Sequence, residues 1–261
     1  MHLRYEILLG LSLSVAAVAC GGSNDEPDNQ GKLILSTTFD SDPTMQSNSG
    51  TQAWVIRDNE RNHFGDAHPG LSIEGDVLRF DSAGGDCCLD SRPRTDFPDG
   101  TELSFSTRSV SNEIFNDDVA PEVGELFPGW PWAGTNNFIN FEYDVPNAHW
   151  AAAFVMIYRR ESEGDQVLFL GNQIDDAPGS TNLTHKMLYV QTGLPLDEFV
   201  DVKLRLHISS HELGLTVNGV DQGKFPYELK YEAAPKDDRF TAIAPNQGIA
   251  EIKYLKLEVA P

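Results

Sequence analysis

The chain has 261 residues, 40% of them hydrophobic and 23% charged, with 40 acidic residues against 19 basic ones and a formal net charge of −21. A surface so acidic repels nucleic acid and anionic lipid headgroups, which excludes both as partners. Three cysteines are too few for a disulfide-stapled fold and form no CxxC knuckle, so the fold has to rest on a hydrophobic core.

The amino terminus runs from Met1-His2-Leu3-Arg4 through an apolar segment, Ile7 to Ala19, to Cys20-Gly21-Gly22. A basic start and a greasy run, shorter than the ~20 residues that span a bilayer, are the marks of an export signal. Ala17-Val18-Ala19-Cys20 resembles the lipobox of bacterial lipoproteins, although that family favours Leu where Ala17 stands. The resemblance implies lipidation of Cys20 and a signal peptide over residues 1–19; cleavage by the ordinary signal peptidase is the alternative. Gly21 after the cysteine resembles lipoproteins sorted to the outer membrane, so the expected location is an outer-membrane or cell-surface anchor, with the lipid as the only membrane contact. Residues 20–31 read as a polar, turn-rich tether. The signal holds one Arg and one Glu, so 18 basic residues then face 39 acidic and the charge stays at −21. Residues 32–261 are long enough for one large domain.

Strand patterns fill that domain. Leu33 to Phe39 is a first strand ending at Asp40-Ser41-Asp42-Pro43. Trp54 to Ile56, Leu71 to Ile73 and Val77 to Phe80 follow, the last two joined by a Glu74-Gly75-Asp76 turn. Leu103, Phe105 and Thr107 alternate with Ser104, Ser106 and Arg108. Asn112 to Asn137 reads as a long irregular stretch containing Phe127-Pro128-Gly129-Trp130-Pro131-Trp132, of a length that is usually functional or disordered. Phe138 to Val145 alternates, Trp150 to Arg160 is apolar on both faces and reads as central, and Val167 to Leu170 and Met187 to Gln191 are shorter runs. From Phe199 to Lys224, Val200, Val202, Leu204 and Leu206 share one face with Asp201, Lys203, Arg205 and His207 on the other; a turn, a second ribbon and Asn218-Gly219 complete a hairpin. Phe240 to Ile243 and Glu251 to Val259 close the set, with a phase shift at Tyr254 and Leu255 that predicts a bulge. With no helical period past the signal, the expectation is an all-β, two-sheet antiparallel sandwich.

The first strand ending in FDSD, the hairpin VDVKLRLHISSHELGLTVNGVDQG and the closing GIAEIKYLKLEV resemble the concanavalin A-like lectin and glucanase superfamily, including laminin G-like modules. The resemblance implies a jelly roll whose last strand pairs beside the first. It also implies a structural Ca²⁺, for which Asp40 and Asp42 are the candidate ligands; turn-forming aspartates are the alternative. No other cofactor is expected.

Asn140, Glu142 and Asp144 lie two residues apart on one strand, so their Cα atoms are spaced by about 6.6 Å on one face. Carboxyls so placed can approach the ~5 Å separation of a retaining glycosidase. Glu142-Tyr143-Asp144 is similar to the first half of the glucanase catalytic strand, but Pro146 and Asn147 stand where its second Glu would be. Glu142 and Asp144 are therefore the catalytic candidates, against a solvated or cation-binding face. Trp130 and Trp132, with Trp150 and Tyr158, are candidate sugar platforms or core aromatics. Lys203, Arg205 and His207 form a basic stripe that could receive uronate or sulfate, or else offsets neighbouring acids in water. Cys87 and Cys88 are adjacent and either close a strained vicinal disulfide or stay as thiols.

The composite reading is a monomeric, surface-anchored lipoprotein that binds polysaccharide, with Trp130, Trp132, Asn140, Tyr158, Arg205 and His207 as ligand-facing residues. A glycoside hydrolase or polysaccharide lyase on the same fold is the first alternative, and an adhesion or structural module that meets another protein is the second.

Overall fold

The computed structural model describes residues 32–37, 54–58, 63–64, 71–81, 87–91, 99–112, 120–128, 137–145, 148–175, 183–207, 209–227, 239–243 and 248–259. Its strands, in chain order, are β1 Lys32–Thr37, β2 Trp54–Asp58, β3 His63–Phe64, β4 Leu71–Glu74, β5 Val77–Asp81, β6 Cys87–Ser91, β7 Thr101–Asn112, β8 Leu126–Pro128 and β9 Asn137–Val145. They continue as β10 Ala148–Arg160, β11 Asp165–Asp175, β12 Leu183–Pro195, β13 Val200–His207, β14 Glu212–Val217, β15 Val220–Pro226, β16 Arg239–Ile243 and β17 Gly248–Val259.

Two antiparallel sheets result. The eight-stranded sheet runs β15-β14-β13-β7-β17-β5-β4, with β1 sharing the β17 edge; the nine-stranded sheet runs β3-β2-β6-β16-β9-β10-β11-β12-β8. The chain passes repeatedly between them, and β1 pairs with β17, Lys32 opposite Val259, as the resemblance implied. The expected two-sheet antiparallel jelly-roll sandwich is the observed architecture.

The alternation seen in the sequence sets the packing. On β13, Val200, Val202, Leu204 and Leu206 are buried while Asp201 and Lys203 are exposed. Those four join Leu103 and Phe105 of β7, Leu213, Leu215 and Val217 of β14, and Ile252, Leu255 and Leu257 of β17, against Val155, Ile157, Leu168 and Leu170 of the other sheet. Each fully buried side chain of this kind contributes about 1.5–3 kcal/mol, which is how the sandwich offsets its ordering entropy. The predicted bulge is present: the β17–β7 register slips between Ile252 and Tyr254, returning Leu255 and Leu257 to the core.

Turn chemistry agrees as well. Asn218 and Gly219 both have positive φ, 49° and 77°, the geometry that suits a two-residue hairpin to strand twist. Gln166, fully buried on β11, joins the two sheets: the Ser109 N–H of β7 donates to its Oε1 at 2.8 Å, and its Nε2 donates to the carbonyls of Pro195 and Glu198 at 2.6 and 2.8 Å.

The stretch expected to be irregular between Asn112 and Asn137 contains a strand. Glu125 accepts a bond from the Met187 N–H at 3.0 Å, and β8 then pairs with β12 at the sheet edge. A three-residue strand containing Pro128 carries no readable alternation, β3 has only two residues, and the CCLDS of β6 shows no apolar alternation.

Candidate functional site

The polar row of the sequence lies at the middle of the nine-stranded sheet, since β9 has four strands on either side. Register fixes which face it belongs to. Val155 and Ile157 of β10 pack in the core between the sheets, and Ile139 stands opposite Val155. Phe138 stands opposite Met156 and Asn140 opposite Phe154, so the positions of Asn140, Glu142 and Asp144 fall on the other face, which looks away from the partner sheet. Across the ladder, Glu142 is opposite Arg239 of β16, and Asn140 is opposite Thr241, which is opposite Asp90 of β6. Polar residue types therefore meet in register over three central strands. Sequence reading missed Arg239 and Asp90; the Arg239-x-Thr241 spacing, two apart like the row on β9, was the available signal.

The same face becomes apolar toward β11 and β12. Met156 and Tyr158 pack with Val167, Phe169 and Met187, with Ala120 and Val190 against them. Tyr158, read as a ligand-facing residue, is 5% exposed and meets Phe169 edge-on with ring centroids 6.1 Å apart, so its ring is spent on packing. Trp150 stands opposite Tyr143, a position in phase with the core-facing residues of β9.

Arg205 and His207 lie elsewhere. They are on β13, on the face of the eight-stranded sheet that looks away from the core, so the structure does not bring them together with the β9 row. Here Lys203 pairs with Glu102 at 3.6 Å and Lys224 with Glu212 at 3.9 Å. Gly214 of β14 provides room beside the stripe: a Cβ there would lie 3.5 Å from the Arg205 Cβ and 3.6 Å from the His207 Nε2. Burial and the charges of Lys224 and Arg205 push the His207 imidazole below its ordinary pKa, against the opposing pull of Asp99 and Glu212. The stripe is a positive locus interleaved with acids.

Cys87 stands opposite Asp58 and Cys88 opposite Arg57, consecutive positions of a regular ladder that fall on opposite faces of the sheet. Cys20, Asp40, Asp42, Trp130 and Trp132 lie outside the described residues. Among the described residues no group of three or more His, Cys, Asp or Glu side chains is arranged to hold a metal.

No protein-family model matches the chain, and no curated protein matches it. Solved structures similar to it include a non-specific endo-beta-1,3(4)-glucanase from family GH16, at TM-score 0.48 and 9% identity, covering 90% of this chain and 93% of that one. Domain 4 of AbnA, a GH43 extracellular arabinanase from Geobacillus stearothermophilus, in complex with arabinotriose, is similar at TM-score 0.47 and 12% identity, covering 88% and 94%. An alginate lyase from Pseudomonas aeruginosa is similar at TM-score 0.44 and 11% identity, covering 88% and 97%. Likenesses at this depth assign neither a family nor an activity.

Proposed function

We propose that this chain binds polysaccharide on the outward face of the nine-stranded sheet, held at the cell surface by a lipid on Cys20. The observation that carries the reading is the polar row at the centre of that sheet: Asn140, Glu142 and Asp144, with Arg239, Thr241 and Asp90 in register. Carboxylates, an amide, a hydroxyl and a guanidinium together offer the acceptors and donors that sugar hydroxyls require. Four residues lie between Trp132 and Asn137, where β9 begins, so the tryptophans adjoin that strand in the sequence. Trp130 and Trp132 are the proposed apolar platform of the same site. The tether enters through β1, which belongs to the opposite sheet. This favours presentation of the β9 face away from the anchor.

Cosedimentation of the protein with insoluble polysaccharides of neutral and acidic composition tests the reading. Retention on at least one of them, reduced by Trp130→Ala or Trp132→Ala, is the expected result; no retention on any contradicts it. Release of reducing ends or of unsaturated products during the same incubation would favour the hydrolase or lyase alternative, with Glu142 and Asp144 as its carboxylates.

A further inference from the structure

A second polar locus sits on the far side of the molecule, on the outward face of the eight-stranded sheet. Asp201 of β13, Ser106 of β7 and Tyr254 of β17 stand opposite one another across three adjacent strands. The small Ser106 lies between two larger neighbours, so the sheet surface dips over β7. An open depression of about 670 Å³ forms there, lined by Ser106, Arg108, Asp197, Glu198, Phe199, Asp201, Lys253 and Tyr254.

Its polar groups divide into two sets. Arg108 is structural: its Nε donates to the Glu251 carboxylate at 2.7 Å and its guanidinium lies 4.8 Å from the Phe199 ring centroid. Glu251 is also held by Arg79 at 2.9 Å, so this wall is fixed by a buried carboxylate between two guanidinium groups. The other set is uncommitted. Ser106 is 3% exposed, yet its hydroxyl makes no hydrogen bond to a described residue, and neither do the Tyr254 hydroxyl and the carboxylates of Asp201 and Glu198. Lys253 has no carboxylate within ion-pair distance among the described residues; its Nζ rests 4.1 Å from the Phe199 centroid. A mixture of acceptors and donors beside a tyrosine ring suits a polyol better than a charged group. Asp197 pairs with Arg159 at 3.5 Å and Glu251 is shared by Arg79 and Arg108, which leaves the carboxylates of Glu198 and Asp201 against Lys253, so the depression offers an anion no excess of positive charge.

We propose that this depression is a second, separate carbohydrate subsite that takes a neutral sugar. Its C–H face lies on Tyr254, and its hydroxyls donate to Asp201 and Glu198 and accept from Lys253 and Ser106. The subsite does not depend on the β9 face.

Amide chemical-shift mapping of the full-length, detergent-solubilised protein with cellohexaose and laminarihexaose, and in separate arms with an alginate hexamer and a chitosan hexamer, tests it. The expected result is a saturable shift of the Ser106, Asp201 and Lys253 amides with a neutral hexamer. Tyr254→Ala should weaken it about tenfold, the loss of roughly one aromatic contact, while Glu142→Gln leaves it unchanged. Ser106→Ala, which removes the hydroxyl at similar size, should also weaken it, so the claim stays testable if either variant folds poorly. The proposal is overturned if these amides do not move with either neutral hexamer, if Tyr254→Ala and Ser106→Ala leave the shifts intact, or if a charged hexamer binds here more tightly. Shifts confined to Asn140, Glu142 and Thr241 would overturn this subsite while supporting the β9 face.

Discussion

Asn218 and Asp201 exchange two hydrogen bonds: the Asn218 N–H donates to the Asp201 carbonyl at 2.7 Å, and the Asp201 N–H donates to the Asn218 Oδ1 at 2.9 Å. The turn residue thereby locks the start of β13 to the end of β14 while holding φ at 49°. Asn218→Ala removes the side-chain acceptor and places a residue with no liking for the left-handed region there, so it should destabilise by about 1–3 kcal/mol. Asn218→Gly keeps the backbone freedom and should lose less. Urea denaturation of the three proteins checks the order; an alanine variant as stable as the parent would show that the turn does not hold the hairpin.

Gln166 is the polar tie between the sheets. Gln166→Leu preserves most of its volume but takes the side-chain acceptor from the Ser109 N–H and the side-chain donor from the carbonyls of Pro195 and Glu198. The expected loss is about 2–4 kcal/mol. Thermal melting would reveal it, and a gain in stability would mean that packing outweighs the three bonds.

The pH response of the basic stripe follows from its geometry. Burial first, then Lys224 and Arg205, hold the folded His207 below its ordinary pKa. As pH falls through about 6.5, the unfolded chain takes up the proton before the folded one does. His207 therefore favours the folded state fully above that pH, and the contribution is lost as pH falls through the depressed folded value. Stability measured from pH 8 to pH 5 should fall less steeply in His207→Gln than in the parent. An equal or steeper fall would mean that the imidazole is not held neutral. NMR titration of the ring gives the same answer independently, with an expected midpoint below the ordinary histidine value.

Cys87 and Cys88 begin β6 opposite Asp58 and Arg57, in ladder positions that alternate between faces. A vicinal disulfide needs its two Cβ atoms about 3.5–4.5 Å apart on one side, which an extended pair does not supply. Alkylation of the unfolded, unreduced protein followed by peptide mass mapping should label both residues. Recovery of the peptide unlabelled until reduction would establish the ring.

The fold was legible because its long strands carry a period of two. Val200 to Leu206 and Leu213 to Val217 announce a buried face, Asn218-Gly219 announces the reversal, and the misphased Tyr254-Leu255 announces the bulge. Short strands such as His63–Phe64 and Leu126–Pro128 repeat too few times to show a period. The candidate site was half legible. Alternation placed Asn140, Glu142 and Asp144 on one face, but which sheet held Arg205 is a matter of long-range pairing, and β13 pairs with β7, about 100 residues earlier in the chain. Nor does a pattern tell an aromatic on a binding face from one beneath a cover: Tyr158 has the right phase for the outward face and is nevertheless buried against Phe169.

The most direct measurement is a binding isotherm for a polysaccharide that the protein retains, compared between the parent and the Asn140→Ala, Glu142→Gln double variant. If the β9 row holds the ligand, the loss of those polar contacts should weaken binding by about tenfold or more while the melting temperature stays close to that of the parent. Unchanged affinity in a folded double variant would place the ligand somewhere other than the centre of the nine-stranded sheet.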